Sequence, residues 1–180
     1  MTTAAPRPAP GLRHVRPAAS PAVRPARPED AAALAALSRP FVDSGALRAR
    51  PLSLYAAHAA DFVVTEAPDG TLAGCLGLRV HPAEPEHGLG PSGVLYNFCV
   101  ARHRQGNGAG ARLLRAVLTR ARAQALGALF TATTGDGALF LRHGFAPTSA
   151  RLAPSSWVES LDPERNARLL ARMPRPPAPV

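Results

Sequence analysis

Residues Gln105-Gly106-Asn107-Gly108-Ala109-Gly110 sit between an apolar run ending at Val100 and an amphipathic stretch beginning near Ala109. Glycine lets a backbone come close to a ligand with no Cβ in the way. A helix start presents unpaired N–H groups and a partial positive charge. A strand, a glycine turn and a helix start in succession therefore make a seat for a diphosphate.

Three glycine-loop chemistries compete for this segment. A P-loop ends in Gly-Lys-Ser/Thr, and the chain contains no lysine. A dinucleotide fingerprint is spaced G-x-G-x-x-G and opens a βαβ domain, whereas these glycines are spaced G-x-G-x-G and lie past the midpoint of the chain. The third pattern, Gln/Arg-x-x-Gly-x-Gly/Ala, fits residues 105–110 without a gap. It is the coenzyme A diphosphate loop of the GNAT N-acetyltransferase superfamily, which this sequence resembles.

The surrounding elements must position that loop. Residues 22–27 read as an edge strand, because Pro25 cannot donate to a ladder. Pro28-Glu29-Asp30 opens a helix with proline and acids at its positive end, with Leu34 and Leu37 as its stripe, and Ser44-Gly45 breaks the chain. A second helix over Leu52–Ala60 precedes a strand over 61–66, a hairpin turn at Pro68-Asp69-Gly70 and a return strand over 72–80. Residues 82–92 read as a loop, and Val94–Val100 as the strand feeding the glycine turn. Leu113, Leu114, Val117, Leu118, Ala121 and Leu126 recur at helical spacing, which predicts a long helix over Ala109–Leu126 stopped by Gly127. A strand over 128–133, a short helix over 137–142 and the start of a last strand at Gly144-Phe145 complete the pattern.

At 180 residues the chain suits one domain. Residues 1–20 and 174–180 are rich in Pro, Ala and Arg and read as a disordered arm and tail around a domain over residues 21–173. No apolar run approaches the ~20 residues needed to span a membrane, and the N-terminus has no apolar secretion core, so a cytoplasmic enzyme is expected. Cys75 and Cys99 lack metal-ligand spacing and read as free buried thiols. The net charge of +9 favours polyanions, coenzyme A among them. Nucleic acid is the weakest partner reading, since aromatics do not interleave with the arginines. A homodimer is compatible with the sequence.

The superfamily resemblance extends over roughly residues 22–150, because the order β-α-α-β-β-β-α-β-α-β is that of the superfamily. It implies an α/β (α+β) fold, a single GNAT-type domain whose mixed central sheet splays around an acetyl-CoA cleft and is flanked by helices. It also implies that backbone groups of Phe98, Cys99 and Val100 hold the pantetheine arm, in the manner of an added strand. Backbone N–H groups of Gln105, Gly106, Asn107, Gly108, Ala109, Gly110 and Ala111 would hold the diphosphate, with Thr133, Thr134 and Asp136 placed for polar contacts to pantetheine. Arg102, Arg104 and Arg112 flank the loop and read equally as phosphate contacts or solvated charges. No metal is implied.

A closer resemblance is to the acetyltransferase domain of bacterial N-acetylglutamate synthases. It rests on residues 38–50 with Asp61-Phe62, on Gly74-Cys75-Leu76-Gly77-Leu78, and on residues 129–134 with 140–145. It implies acetyl transfer from acetyl-CoA to the α-amine of glutamate or a related amino acid, the entry to arginine biosynthesis. Arg50 falls at the second position of that family's Arg-Arg pair, and a planar guanidinium binds carboxylate bidentately, so the resemblance implies Arg50 as the candidate substrate anchor, with one solvated arginine among many as the alternative. The sequence departs where the family often carries Glu-Met-Ala-Cys and this chain has Val94-Leu95-Tyr96-Asn97, the segment facing the acceptor amine. The kinase domain of many such synthases is not in the sequence, so it is expected to act as the short stand-alone forms do, without feedback through that domain. Where superfamily members use a tyrosine to protonate the leaving thiolate, this chain has Phe140. Tyr96 and Asn97 are then the nearest polar candidates for catalysis, with Asn97 also a candidate for substrate binding. A GNAT enzyme for another small amine and a non-catalytic acyl-CoA-binding module stay open as alternatives.

Overall fold

The computed structural model describes residues 22–173, so the expected arm and tail lie outside the described residues. The elements run β1 (Val23–Pro25), α1 (Ala31–Asp43), α2 (Leu52–Ala57), β2 (Phe62–Glu66), β3 (Leu72–His81), β4 (Ser92–Val100), α3 (Ala109–Ala123), β5 (Ala128–Thr133), α4 (Ala138–Arg142), β6 (Ala146–Pro147), α5 (Ser155–Glu159) and β7 (Arg168–Arg172). One sheet of seven strands holds them in the order β1-β2-β3-β4-β5-β7-β6. Only β4 and β5 pair in parallel, and every other pairing is antiparallel. This is the mixed sheet expected, with Pro25 on an edge strand.

Three buried clusters pack on the sheet. On one face Leu113, Leu114, Val117, Leu118 and Ala121 of α3 are buried against Leu76, Leu78 and Leu95. Each fully buried side chain of this kind contributes about 1.5–3 kcal/mol. On the other face Leu34 of α1 and Tyr55 of α2 pack on Phe62, Val64, Cys75 and Cys99. A third cluster lies under α5, where Val94 and Phe130 meet Ala153 and Trp157. Among the described residues no helix is long and apolar enough to cross a membrane.

The structure corrects several boundaries. Pro28–Asp30 form a 3₁₀ turn, and α1 starts only at Ala31. The Asp30 carboxylate causes the delay, by accepting from the Arg27 N–H (2.8 Å) and from Arg24 (2.7 Å). The second helix stops at Ala57 and a 3₁₀ turn takes Ala59–Asp61. Within the expected loop, Pro85–His87 form another 3₁₀ turn, and β4 begins early, at Ser92. Helix α3 ends at Ala123 rather than at Gly127. Its cap is Ala125 at φ 52°, with Leu126 N–H bonded to Ala121 O and Ala125 N–H to Arg122 O, both at 3.0 Å. This pair of bonds is a Schellman closure made without glycine. Gly127 instead donates to Pro91 O (2.7 Å), which lines up the starts of β4 and β5.

The strand after Gly144-Phe145 is only the two-residue edge β6. The long partner of β5 is β7, which the sequence pattern does not reveal. Adjacent Leu169 and Leu170 break the alternation that marks a strand.

Candidate active site

The cleft originates in β4. Its parallel pairing with β5 runs from Ser92↔Ala128 to Leu95↔Thr131 and ends there. Beyond it, β3 and β4 pair as Gly77↔Tyr96 and then Cys75↔Cys99, so Leu76 alone opposes both Asn97 and Phe98. That is a β-bulge, which bends a strand and increases its twist. Asn97 takes it up at φ 50°, a conformation Asn tolerates better than most residues. The bulge turns Phe98–Val100 away from β5.

Asn97 is buried, and its side chain is fully engaged. Its Oδ1 accepts from Arg50 Nη1 (3.2 Å) and Tyr55 Oη (3.3 Å), and its Nδ2 donates to Ser38 Oγ (2.9 Å) and Cys75 Sγ (3.6 Å). It thus joins α1, the entry to α2, α2, β3 and β4, which suits a structural hub.

Two cavities flank the bulge. One, of about 550 Å³, is lined by Phe98, Cys99 and Val100 of β4, by Gln105, Gly106, Gly108, Ala109, Gly110 and Ala111, and by Arg104, Arg142, Phe41 and Leu139. All but four of the residues expected to touch the coenzyme gather here. Gly106 and Gly108 both stand at φ 81°, where a side chain would be strained. Gln105 Nε2 donates to Val100 O (3.0 Å) and ties the loop to the strand end. Arg112 Nη1 braces the loop by donating to Asn107 O (3.2 Å).

Asn107 itself does not line the cavity. Its side chain accepts from the Ala109 N–H (3.3 Å) and shapes the turn. The Nε–H groups of Arg104 and Arg112 are buried without a protein partner. A buried donor left unpaired costs about 1–3 kcal/mol, and of the two arginines Arg104 lines this cavity. The donor set therefore fits a diphosphate. Thr133 and Thr134 lie apart from this cavity: the Thr133 hydroxyl accepts from Gly135 N–H (3.2 Å), and Thr134 lines the other one. Asp136 accepts from Ala138 N–H (2.9 Å) in the turn before α4. Phe140 packs edge-on against Phe98 (5.6 Å) and Phe145 (5.4 Å), with no hydroxyl to offer.

The other cavity, of about 750 Å³, holds Arg50, Tyr96 and Asn97 together. It also collects residues to which the sequence reading gave no role: Arg48, Arg79, His81, Trp157 and Arg165. Asp162 is the one acid on its wall. The roof, residues 156–169, is clamped to the α1–α2 loop by Arg48 Nη1 donating to Ser160 O (2.6 Å) and by Arg165 Nη2 donating to Gly45 O and Ala46 O (2.8 and 2.9 Å). Burial lowers the Arg50 pKa, yet an arginine stays charged at neutral pH. Burial, then the neighbouring Arg79, pushes the His81 pKa down. The only signal for Arg79 in the sequence is a charge interrupting an apolar strand.

Cys75 and Cys99 are free and directly opposed, Sγ to Sγ 3.5 Å. Contact with Cys99 and full burial raise the Cys75 pKa.

A splayed parallel pair, a glycine turn on a helix start and a basic pocket beyond the splay define an acyl-coenzyme A transferase site. The chain belongs to the Acetyltransferase (GNAT) family, whose model matches residues 31–145, and GNAT domains are acetyl-CoA-dependent N-acetyltransferases. Among curated relatives, the amino-acid acetyltransferase of Ralstonia nicotianae is 33% identical over 150 residues, covering 83% of this chain and 32% of the relative. That of Pseudomonas fluorescens Pf0-1 is 29% identical over 150 residues, covering 83% and 33%. The chain thus spans about a third of the length of these relatives. Among solved structures, N-acetylglutamate synthase from Neisseria gonorrhoeae complexed with coenzyme A and N-acetyl-glutamate superposes with TM-score 0.77 at 29% identity, over 88% of this chain and 36% of that one. Rv2747 from Mycobacterium tuberculosis, in complex with CoA, shares the fold with TM-score 0.66 at 23% identity, over 86% of this chain and 100% of that one.

Proposed function

We propose that this chain moves acetyl from acetyl-CoA to the α-amine of glutamate or a closely related acidic amino acid. The observation that carries the reading is the charge of the larger cavity. Arg48, Arg50, Arg79 and Arg165 line it against the single acid Asp162. Such a wall attracts carboxylates and repels polyamines and other cationic acceptors. The printed names of the relatives, amino-acid acetyltransferase and N-acetylglutamate synthase, support the same acceptor class.

Bound acetyl-CoA supplies a thioester; the acceptor ammonium loses a proton to water, the neutral amine attacks the carbonyl carbon directly, and the C–S bond breaks to release the thiolate. Backbone N–H groups of residues 105–111 hold the diphosphate, assisted by Arg104. The β4 edge from Phe98 to Val100, released from β5 by the bulge, pairs with the pantetheine arm and offers an N–H to the developing oxyanion. Arg50 takes an acceptor carboxylate with its N–H groups not committed to Asn97. Tyr96 is poorly suited to protonate the departing thiolate. Its hydroxyl donates to Asp61 Oδ2 (2.9 Å), and burial, then Asp61, raises its pKa. With phenylalanine at position 140, water returns that proton. No covalent enzyme intermediate is needed.

The test is thiol release from acetyl-CoA with glutamate, aspartate, glutamine, spermidine and an aminoglycoside as acceptors. Turnover with glutamate well above the others supports the reading. Turnover confined to the cationic amines replaces it with the second GNAT reading, and tight coenzyme A binding without turnover replaces it with an acyl-CoA-binding module.

A further inference from the structure

Tyr96 is a departure from the resemblance stated above, since it stands where the related strand carries alanine. Its ring lies across β3 directly over Gly77. A Cβ on Gly77 would meet the ring carbons at 2.7, 2.8 and 3.0 Å. The ring edge packs against Phe62 (centroids 5.2 Å), and the hydroxyl is tethered to Asp61 (2.9 Å). Glycine below, an aromatic beside and a carboxylate at the tip leave this side chain one position.

Two guanidinium groups rest against that ring. Arg50 Cζ and Arg79 Cζ each lie 5.2 Å from its centroid. Asp61 is shared, accepting from Tyr96 and lying 3.5 Å from Arg79 Nε. Among the described residues Arg79 Nη2 is buried with no hydrogen-bond partner, and Arg50 has no carboxylate partner. The two cations repel each other, and they come from different elements, Arg50 from the loop before α2 and Arg79 from β3. An aromatic face attracts both and fixes where each one sits.

We infer that Tyr96 is a positioning residue for the acceptor: its ring holds Arg50 and Arg79 as a pair, so that the pocket favours an acceptor with two carboxylates over one with a single carboxylate. This rests on the acidic-amino-acid reading above and deepens it. The ring does no chemistry itself, and its effect falls on acceptor binding and selectivity.

The experiment compares wild type, Tyr96→Leu, Tyr96→Phe and Gly77→Ala in steady-state acetyl transfer to glutamate and to glutamine, with coenzyme A affinity measured by calorimetry and folding by thermal melt. In wild type kcat/KM for glutamate is expected to exceed that for glutamine. Tyr96→Leu should raise the glutamate KM by tenfold or more, lower kcat by less than threefold and erase most of the preference. Tyr96→Phe keeps the ring and should stay within threefold of wild type. Gly77→Ala displaces the ring without removing it and should move the glutamate KM in the direction of Tyr96→Leu. Coenzyme A affinity should not change in any of them. A glutamate preference that survives Tyr96→Leu overturns the inference, and so does a Tyr96→Phe variant as impaired as Tyr96→Leu. A wild type indifferent to the second carboxylate overturns the acidic-acceptor reading instead.

Discussion

Asn97 Oδ1 accepts a hydrogen bond from Arg50 Nη1 at 3.2 Å, joining the strand that opens the cleft to the arginine expected to bind the acceptor. One residue therefore sets both halves of the site. Its left-handed backbone ends the β4–β5 pairing, and its side chain orients the guanidinium. Asn97→Ala should destabilise the protein by about 2–4 kcal/mol, from unpaired buried donors and the strained φ together. Asn97→Gly should recover roughly 1 kcal/mol of that by relieving the backbone. Urea unfolding of the three proteins checks the order, and equal stability of wild type and Asn97→Ala contradicts the hub.

Arg50→Ala should raise the KM for glutamate about 10- to 100-fold, the equivalent of one charge-assisted hydrogen-bonded contact of roughly 1.5–3 kcal/mol. The KM for acetyl-CoA should stay near wild type, because Arg50 lines only the larger cavity. Initial-rate kinetics with each substrate varied in turn make the check. An unchanged glutamate KM removes Arg50 from acceptor binding.

Gly108→Glu places a side chain at φ 81° and a negative charge where the diphosphate is expected. Acetyl-CoA affinity should fall about a hundredfold or more, at least ~2.7 kcal/mol. The far-ultraviolet circular dichroism should stay that of wild type, because no heavy atom lies nearer than 3.4 Å to a Cβ at this position. Calorimetric titration beside the spectrum decides, and undiminished binding rejects the placement of the loop.

The hydrogen bond from Arg24 holds the Asp30 carboxyl below its ordinary pKa. A depressed carboxylate pKa stabilises the fold above the ordinary value, and that stability is lost as pH falls through the folded value. Asp30→Asn should therefore be less stable than wild type at neutral pH and lose less stability between about pH 4 and pH 2. Chemical denaturation at a series of pH values makes the comparison, and parallel acid limbs contradict it.

The coenzyme side of the site was far more legible in the sequence than the acceptor side. Loop residues 105–111 are contiguous, and the coenzyme contacts expected of them are backbone contacts, so glycine spacing is a direct record of that expectation. The stripe of α3 recurs at helical period and could be read residue by residue. The acceptor cavity is assembled from five separate segments, and Arg50, Arg79 and Arg165 meet there only in the folded chain. Strand β7 escaped because Leu169 and Leu170 are adjacent, and the Ala125 cap because Gly127 stood near the place where a glycine was expected. The bulge left one mark, an Asn inside an apolar strand, a residue depleted from strands.

A crystal structure of the protein with acetyl-CoA tests the central claim most directly. The account predicts the diphosphate on the N–H groups of residues 105–111 and the pantetheine arm along Phe98–Val100, with the acetyl group directed toward the cavity that holds Arg50. A coenzyme bound away from the Gly106–Gly108 turn, or an arm lying outside the β4–β5 splay, would contradict it.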